Sequence, residues 1–322
     1  MDAITIPGMD IIRIHPTNDV AKECFNELIA QKLDGTLNKH HRQFVVHSGT
    51  GILDKDFQPS PSAVHGSENE DSPRVDLGYF RIGLDTQSFQ AGIRWVVGKG
   101  VNNRGDRRVD ILLADPNSIQ GSFLKQSHLF LHMHLQSGAW ILRASGPAEL
   151  DDEVMPIIIG RCLHKPRTDL KVCGLRFRIE FAIEDGEDEK IYLSNRNKWM
   201  RAHGVPLPTS KGSGIPFTND TKLESAVFRT GLGYGSYGIV FEGFSPVTGS
   251  PLAIKRIGVK DRQARAPAAN EIKALEKLNG TTGIIKVHQI ANSLGRASPL
   301  SGDFPYDVYI VQDLGTNLKQ YE

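Results

Sequence analysis

The sequence predicts an α+β protein in two modules: a β-sandwich, then a smaller module in which strands surround one helix. Three observations carry this. Short apolar runs separated by turn residues recur from Tyr79 to Phe181 with no helical periodicity between them. A stretch rich in Pro, Gly, Ser and Thr follows, from Gly204 to Leu223. Beyond it stand a glycine-rich hairpin, an alternating strand and an amphipathic helix, in that order. A length of 322 residues suits two domains.

Composition narrows the classes. With 39% hydrophobic and 23% charged residues the chain is neither disordered overall nor fibrous. Lys plus Arg is 38 against 37 for Asp plus Glu, so no bulk charge advertises nucleic acid or acidic lipid as a partner. Three scattered cysteines, Cys24, Cys162 and Cys173, make neither a disulfide framework nor a paired zinc motif. A reducing compartment is expected, cytoplasmic or nuclear. Met1 to Gly8 has no basic start and no apolar run, so no signal peptide is expected. No window reaches 18 apolar residues, so no membrane span is expected either. His128, His132 and His134 share a strand face at even-numbered intervals, but three imidazoles alone lack a fourth fixed ligand, and no metal site is expected.

The elements divide as follows. Residues 1–53 form a helical and extended segment. A helix over 16–35 is capped at Pro16-Thr17-Asn18-Asp19, carries the stripe Val20, Cys24, Leu28 and Ile29, and stops at Gly35. Residues 54–75 form an acidic linker or loop, with Pro59-Ser60-Pro61-Ser62 and Glu68-Asn69-Glu70-Asp71. Residues 76–200 hold the sandwich, whose expected strands include Gly92–Val97, Val109–Leu113, His128–His132, Ala139–Leu142, Met155–Ile159 and the strictly alternating Leu175–Phe181. This module is expected to fold on its own. Residues 201–223 are a linker, and 224–322 form the second module.

Leu232-Gly233-Tyr234-Gly235-Ser236-Tyr237-Gly238-Ile239-Val240 contains G-x-G-x-x-G-x-V. A dinucleotide fingerprint needs a helix after the glycines, and a Walker A loop needs Gly-Lys-Ser/Thr. Here Ile239 to Phe244 continues as a strand and Val247-Thr248-Gly249-Ser250 makes a turn, so the glycines lie in a strand hairpin. Bare backbone at Gly233 and Gly235 can approach phosphate oxygens, whereas a side chain would hold the strand away. On the loop alone, a plain glycine-rich turn stays open.

Pro251 to Ile257 alternates as a strand, putting Ala253, Lys255 and Ile257 on one face. A helix from about Pro267 to Leu278 follows, with Glu271, Leu275 and Leu278 on one stripe. A lysine and an acid on facing apolar surfaces are natural partners, and the remaining lysine donors can reach phosphate. The alternative is two amphipathic chains snorkelling at a core edge.

These residues together resemble the small lobe of a eukaryotic protein kinase. Gly233, Gly235, Gly238 and Val240 match its glycine loop, Ala253-Ile254-Lys255 its A-x-K strand, and Glu271 its helix glutamate. Val308 to Leu314 looks like its fifth strand entering the hinge, with Gln312 at the gatekeeper position and the backbone from Asp313 to Gly315 at the adenine edge. The resemblance implies a five-stranded antiparallel sheet with one helix, and ATP as cofactor. It implies magnesium only with the large lobe, whose H-R-D-x-x-x-x-N and D-F-G motifs do not occur in these 322 residues. No catalytic residue is therefore assigned in this chain, and phosphoryl transfer is expected only if the chain continues beyond Glu322.

Residues 79–181 resemble a forkhead-associated (FHA) domain, a phosphothreonine-reading sandwich, in the divergent form found ahead of some fungal kinases. Gly98-Lys99, Asp110 to Leu113, His128, Trp140 to Leu142 and Phe177 to Phe181 carry the likeness. Lys99 stands where the family has arginine, and Lys125 where it has the phosphate-binding serine. Lys99, Arg104 and His128 are the candidate phosphopeptide contacts, with at most modest phosphate preference expected. The basic loop of Lys99, Arg104, Arg107 and Arg108 reads first as a solvated loop, with collection of a phosphate or an acidic peptide as the alternative. The function so implied is the ATP-binding portion of an FHA-linked serine/threonine protein kinase, with a catalytically inactive pseudokinase or interaction scaffold as the alternative.

Overall fold

In the computed structural model the first strand already departs from the expected boundaries, because Asp10–Pro16 sits inside the sandwich. The structure describes residues 8–47, 78–89, 93–100, 109–235, 238–282 and 284–314. The acidic linker of 54–75, the basic residues Arg104, Arg107 and Arg108, and Ser236, Tyr237 and Gly315 lie outside them.

In chain order the first elements are β1 (Asp10–Pro16), α1 (Asp19–Leu33), α2 (Lys39–Arg42), β2 (Val45–His47), β3 (Gly78–Gly83), β4 (Arg94–Gly98), β5 (Ile111–Leu112), α3 (Ile119–Phe123), β6 (Leu129–Met133) and β7 (Trp140–Ala144). Next come β8 (Ala148–Leu150), β9 (Glu153–Val154), β10 (Gly160–Cys162), β11 (Arg167–Val172), β12 (Leu175–Phe181) and α4 (Glu187–Ala202). The second module holds β13 (Thr221–Lys222), β14 (Val227–Gly235), β15 (Gly238–Phe244), β16 (Pro251–Val259), α5 (Arg262–Leu278), β17 (Val287–Asn292) and β18 (Tyr306–Asp313). The result is a mixed α+β fold with several sheets. Among the described residues no helix is long and apolar enough to cross a membrane.

A seven-stranded sheet runs β2-β3-β1-β12-β11-β8-β9, and a five-stranded one runs β10-β7-β6-β4-β5. They share one core, in which Phe80, Ile82, Phe177 and Ile179 of the first sheet join Trp95, Leu131 and Trp140 of the second. β12 alternates as its sequence demands, with Leu175, Phe177, Ile179 and Phe181 buried. β1 lies between β3 and β12, with Ile14 opposite Ile179 on one side and Phe80 on the other. Residues 10–16 therefore belong to the sandwich and not to a separate N-terminal segment. The helix expected over 16–35 is α1, capped by the Asn18 side chain on the Ala21 amide. Its Phe25 meets Phe80 edge-on at 4.8 Å.

Two further expectations change. Met155–Ile159 is not a strand. Ile157, Ile158 and Ile159 are exposed, and Ile158 has φ +77°, a left-handed conformation that β-branched residues rarely take. Pro156 lacks the amide a ladder needs, and between β9 and β10 only an isolated bridge from Ile157 to Ala144 forms. The stretch 201–223 is also no free linker. Ile215 and Phe217 join the sandwich core, and the buried Arg196 of α4 donates to the carbonyls of Gly212 and Ser213. Gly214 (φ +71°) packs against Gly138, where an added Cβ would stand 2.1 Å from backbone.

The second module is one antiparallel sheet, β13-β14-β15-β16-β18-β17. The sheet expected to have five strands has six, because the two-residue β13 pairs on β14. α5 covers one face through Ala268 and Ile272, against Val259, Val308 and Ile310. The other face buries Phe228, Leu252, Ile254 and Val311. α5 begins at Arg262, earlier than expected, because Asp261 caps it on the Ala264 amide at 2.8 Å and Pro267 falls inside the helix.

The modules touch directly. Ala139, Ile141 and Cys162 pack on Val227 and Phe244, and the Ser137 hydroxyl donates to the Gly249 carbonyl at 2.5 Å. The Glu242 carboxylate of β15 accepts from the Lys211 and Gly212 amides at 2.9–3.2 Å. Arg229 of β14 reaches Asp185 at 2.6 Å, Glu189 of α4 at 2.5 Å and Asp220 at 3.5 Å, over the Phe217 ring at 4.0 Å.

Candidate functional site: the glycine hairpin and the Lys255–Glu271 pair

Cross-strand register assembles the site. Gly233 faces Val240, Val240 faces Lys255, and Lys255 faces Ile310, so one row crosses four strands. Ala253 lies two residues from Lys255 on the same face, opposite Glu242 and Gln312. On that face α5 brings Glu271 to Lys255, with Nζ to Oε1 at 2.5 Å. Their side chains are 25% and 30% exposed, so the pair sits at the mouth of the helix–sheet core. The apolar stripe of α5 centres on Ala268 and Ile272, and Glu271 is the polar residue at its margin; Leu278 is exposed, contrary to expectation.

The three glycines do different work. At Gly238 φ is +132°, and an added Cβ would stand 2.1 Å from the Arg256 carbonyl oxygen, so the backbone itself requires glycine. At Gly233 and Gly235 an added Cβ meets nothing within 4 Å among the described residues. Leu232 and Tyr234 are exposed beside them. Gly238→Ala is expected to destabilise the fold by about 1–3 kcal/mol. Gly233→Ala should change stability by less than about 0.5 kcal/mol. Denaturant melts of both variants check this.

At the far edge, the Asp313 carboxylate is held by His288 Nε2 at 2.6 Å. The Asp313 amide donates to the Lys286 carbonyl, and the Leu314 amide to the Pro251 carbonyl.

The sandwich tip is organised around His128, which is fully buried. Its Nδ1 accepts from the Lys125 amide at 3.1 Å, so Nε2 carries the proton and donates to the Pro147 carbonyl at 3.0 Å. Burial, the largest influence, keeps the ring neutral. With both nitrogens committed, His128 braces two loops and is not a ligand contact, which corrects its candidate role. Lys99 donates its amide to the Lys125 carbonyl, and the Lys125 ammonium binds the Ser145 carbonyl. Gly98 is required there, since a Cβ would stand 2.2 Å from the Gln126 oxygen.

Burial also depresses His41, His134 and His164, and His132 down to about 4. Such groups bind protons more readily when unfolded, near pH 6.5. Their stabilisation is complete above that and is lost as pH falls towards 4. Asp220 opposes them: burial raises it to about 6, so its protonation favours the folded state below that pH. Five histidines outweigh one carboxylate. The melting temperature is expected to fall from pH 7 to pH 4.5, and a flat or rising profile would contradict this.

Sequence reasoning missed Arg229 and Glu242, which grip both strands of the hairpin. An acid inside the apolar run Ile239 to Phe244 was the available signal for Glu242.

The chain matches no protein-family model and no curated protein. Among solved structures it is similar to the crystal structure of Rad53 1-466 in complex with AMP-PNP, at 13% identity and a TM-score of 0.32. The match covers 76% of this chain and 55% of that one, so the chain spans about half the length of that structure. A likeness at that score decides nothing about fold or site.

Proposed function

We propose that these residues form the ATP-binding portion of a serine/threonine-type protein kinase joined to an FHA-like sandwich. One observation carries the reading: Lys255 and Glu271 meet at 2.5 Å in the strand row that leads to the Gly233 and Gly235 backbone, which no described side chain covers. Glu271 orients the ammonium, whose charge meets the phosphates while the bare hairpin lies over them. Leu232, Tyr234, Val240 and Ala253 stand on the same strands as further candidate contacts, and Ser236 and Tyr237 of the loop, which lie outside the described residues, are candidates too. Transfer of the phosphoryl group to protein, with magnesium, is proposed only for a product that also carries the metal-holding and base motifs. The sandwich serves as a protein-binding module, with Lys99 at its tip as a contact for a phosphopeptide and Arg104, which lies outside the described residues, as a second candidate.

A second reading, a nucleotide-independent scaffold, is favoured by one feature. The amides of Asp313 and Leu314, at the expected adenine edge, are already spent on carbonyls of the chain. Titration calorimetry with ATP separates the two. Weak binding, about millimolar, reduced at least about tenfold in Lys255→Ala, supports the first. Absent binding, or binding indifferent to Lys255→Ala, supports the scaffold.

A further inference from the structure

The outer face of the five-stranded sheet carries a groove of about 430 Å³, lined by Arg94, Phe130, His132, Arg143 and the Val205-Pro206 wall that follows α4. Its floor follows from register: Arg94 is opposite His132, and Phe130 is opposite Arg143, so two cations and two rings alternate across three strands. The Arg94 guanidinium lies over the Phe130 ring at 4.2 Å. Among the described residues no acidic residue lines the groove. Elsewhere on the sandwich Arg81, Arg161, Arg167 and Arg178 each hold a carboxylate within 3.3 Å. Arg94 and Arg143 hold none among the described residues.

Two guanidiniums on one groove, with no acid beside them among the described residues, are an unmet demand for anions, since arginine's fork matches carboxylates in bidentate fashion. Their joint field also shows in His132, which burial first and then Arg143 and Arg94 drive towards the neutral form. Phe130, with the Val205-Pro206 wall, offers apolar surface beside the charges, the arrangement of an interface anchor. The place is distinct from the Lys99 tip. Arg94 opens β4 and His132 stands near the end of β6, whereas the tip lies at the opposite ends of those strands, at Gly98 and His128.

We propose that this groove is a second partner site of the sandwich, which docks an acidic segment of another protein. Carboxylates would sit on Arg94 and Arg143, and an apolar side chain on Phe130 against Val205 and Pro206. Recognition needs no phosphate and does not depend on the nucleotide reading.

Fluorescence anisotropy with the full chain and labelled heptapeptides tests it. One probe alternates Asp and Leu, a second Lys and Leu, and a third Asp and Ser. The Asp-Leu peptide should bind, the Lys-Leu peptide should not, and the Asp-Ser peptide should bind at least about fivefold more weakly. Arg94→Glu and Arg143→Glu should each weaken Asp-Leu binding at least about tenfold, with thermal melts confirming that both variants fold. Lys99→Ala should leave it unchanged. The proposal is overturned by no Asp-Leu binding, by binding that survives both charge reversals in folded protein, by equal Asp-Ser binding, or by loss on Lys99→Ala. Anionic lipid vesicles that bind through both arginines while the Asp-Leu peptide does not would also overturn it.

Discussion

A chain beginning at Gly78 is expected to lose the sandwich as a cooperative unit. β1 pairs with β12 and with β3, so its removal opens two interior strand edges at once. The deletion also takes Ile11, Ile12, Ile14, Phe25 and Leu28 out of the shared core. Burial of each such side chain contributes about 1.5–3 kcal/mol. Together they approach the whole stability of a domain, about 5–15 kcal/mol. Far-UV circular dichroism and thermal melts of residues 78–322 against the full chain are the check. A truncated chain that melts sharply near the full-length temperature would show β1 to be dispensable.

The second large effect belongs to Arg229. Its guanidinium answers Asp185, Glu189 and Asp220, and the Asp220 side chain is only 5% exposed. Removing one partner of a buried ion pair costs about 3–5 kcal/mol. Arg229 is 22% exposed, so screening lowers that for Arg229→Ala to about 2–3 kcal/mol. The contact is also mechanical, because Arg229 lies on the strand that leads into Gly233. The variant should therefore loosen both the junction of the modules and the hairpin. Hydrogen exchange should rise in β14 and β15 as well as at Ile215 and Phe217. Faster exchange confined to the sandwich would separate Arg229 from the hairpin.

How much of this was legible in the sequence depended on distance along the chain. The Lys255–Glu271 contact could be read because a period-two strand and a helix stripe, a short loop apart, fix which faces meet. β12 could be read from its alternation alone. β1 could not: Ile11-Ile12-Arg13-Ile14 is a brief run whose partners lie far away in sequence, and pairing at that range leaves no local mark. α4 was missed because its apolar residues, Tyr192, Trp199 and Met200, are few among charges. Met155–Ile159 misled in the other direction, since apolar content looks like a strand whether or not a proline breaks the ladder. Pro267 suggested a helix start, but the Asp261 cap decided it. His128 looked like a ligand contact, and only its two hydrogen bonds show that it is a brace.

The central claim is that the Lys255 ammonium faces the phosphates of a nucleotide. An acyl phosphate of ATP tests it most directly, because a nearby lysine amine attacks the acyl carbonyl, forms an amide and releases ATP. Peptide mapping by mass spectrometry after brief exposure should find acylation concentrated on Lys255. Excess free ATP should suppress it, and Glu271→Gln, which loses the charge that orients the amine, should lower it. Acylation spread over surface lysines and indifferent to ATP, with Lys255 unmodified, would contradict a nucleotide site at the glycine hairpin.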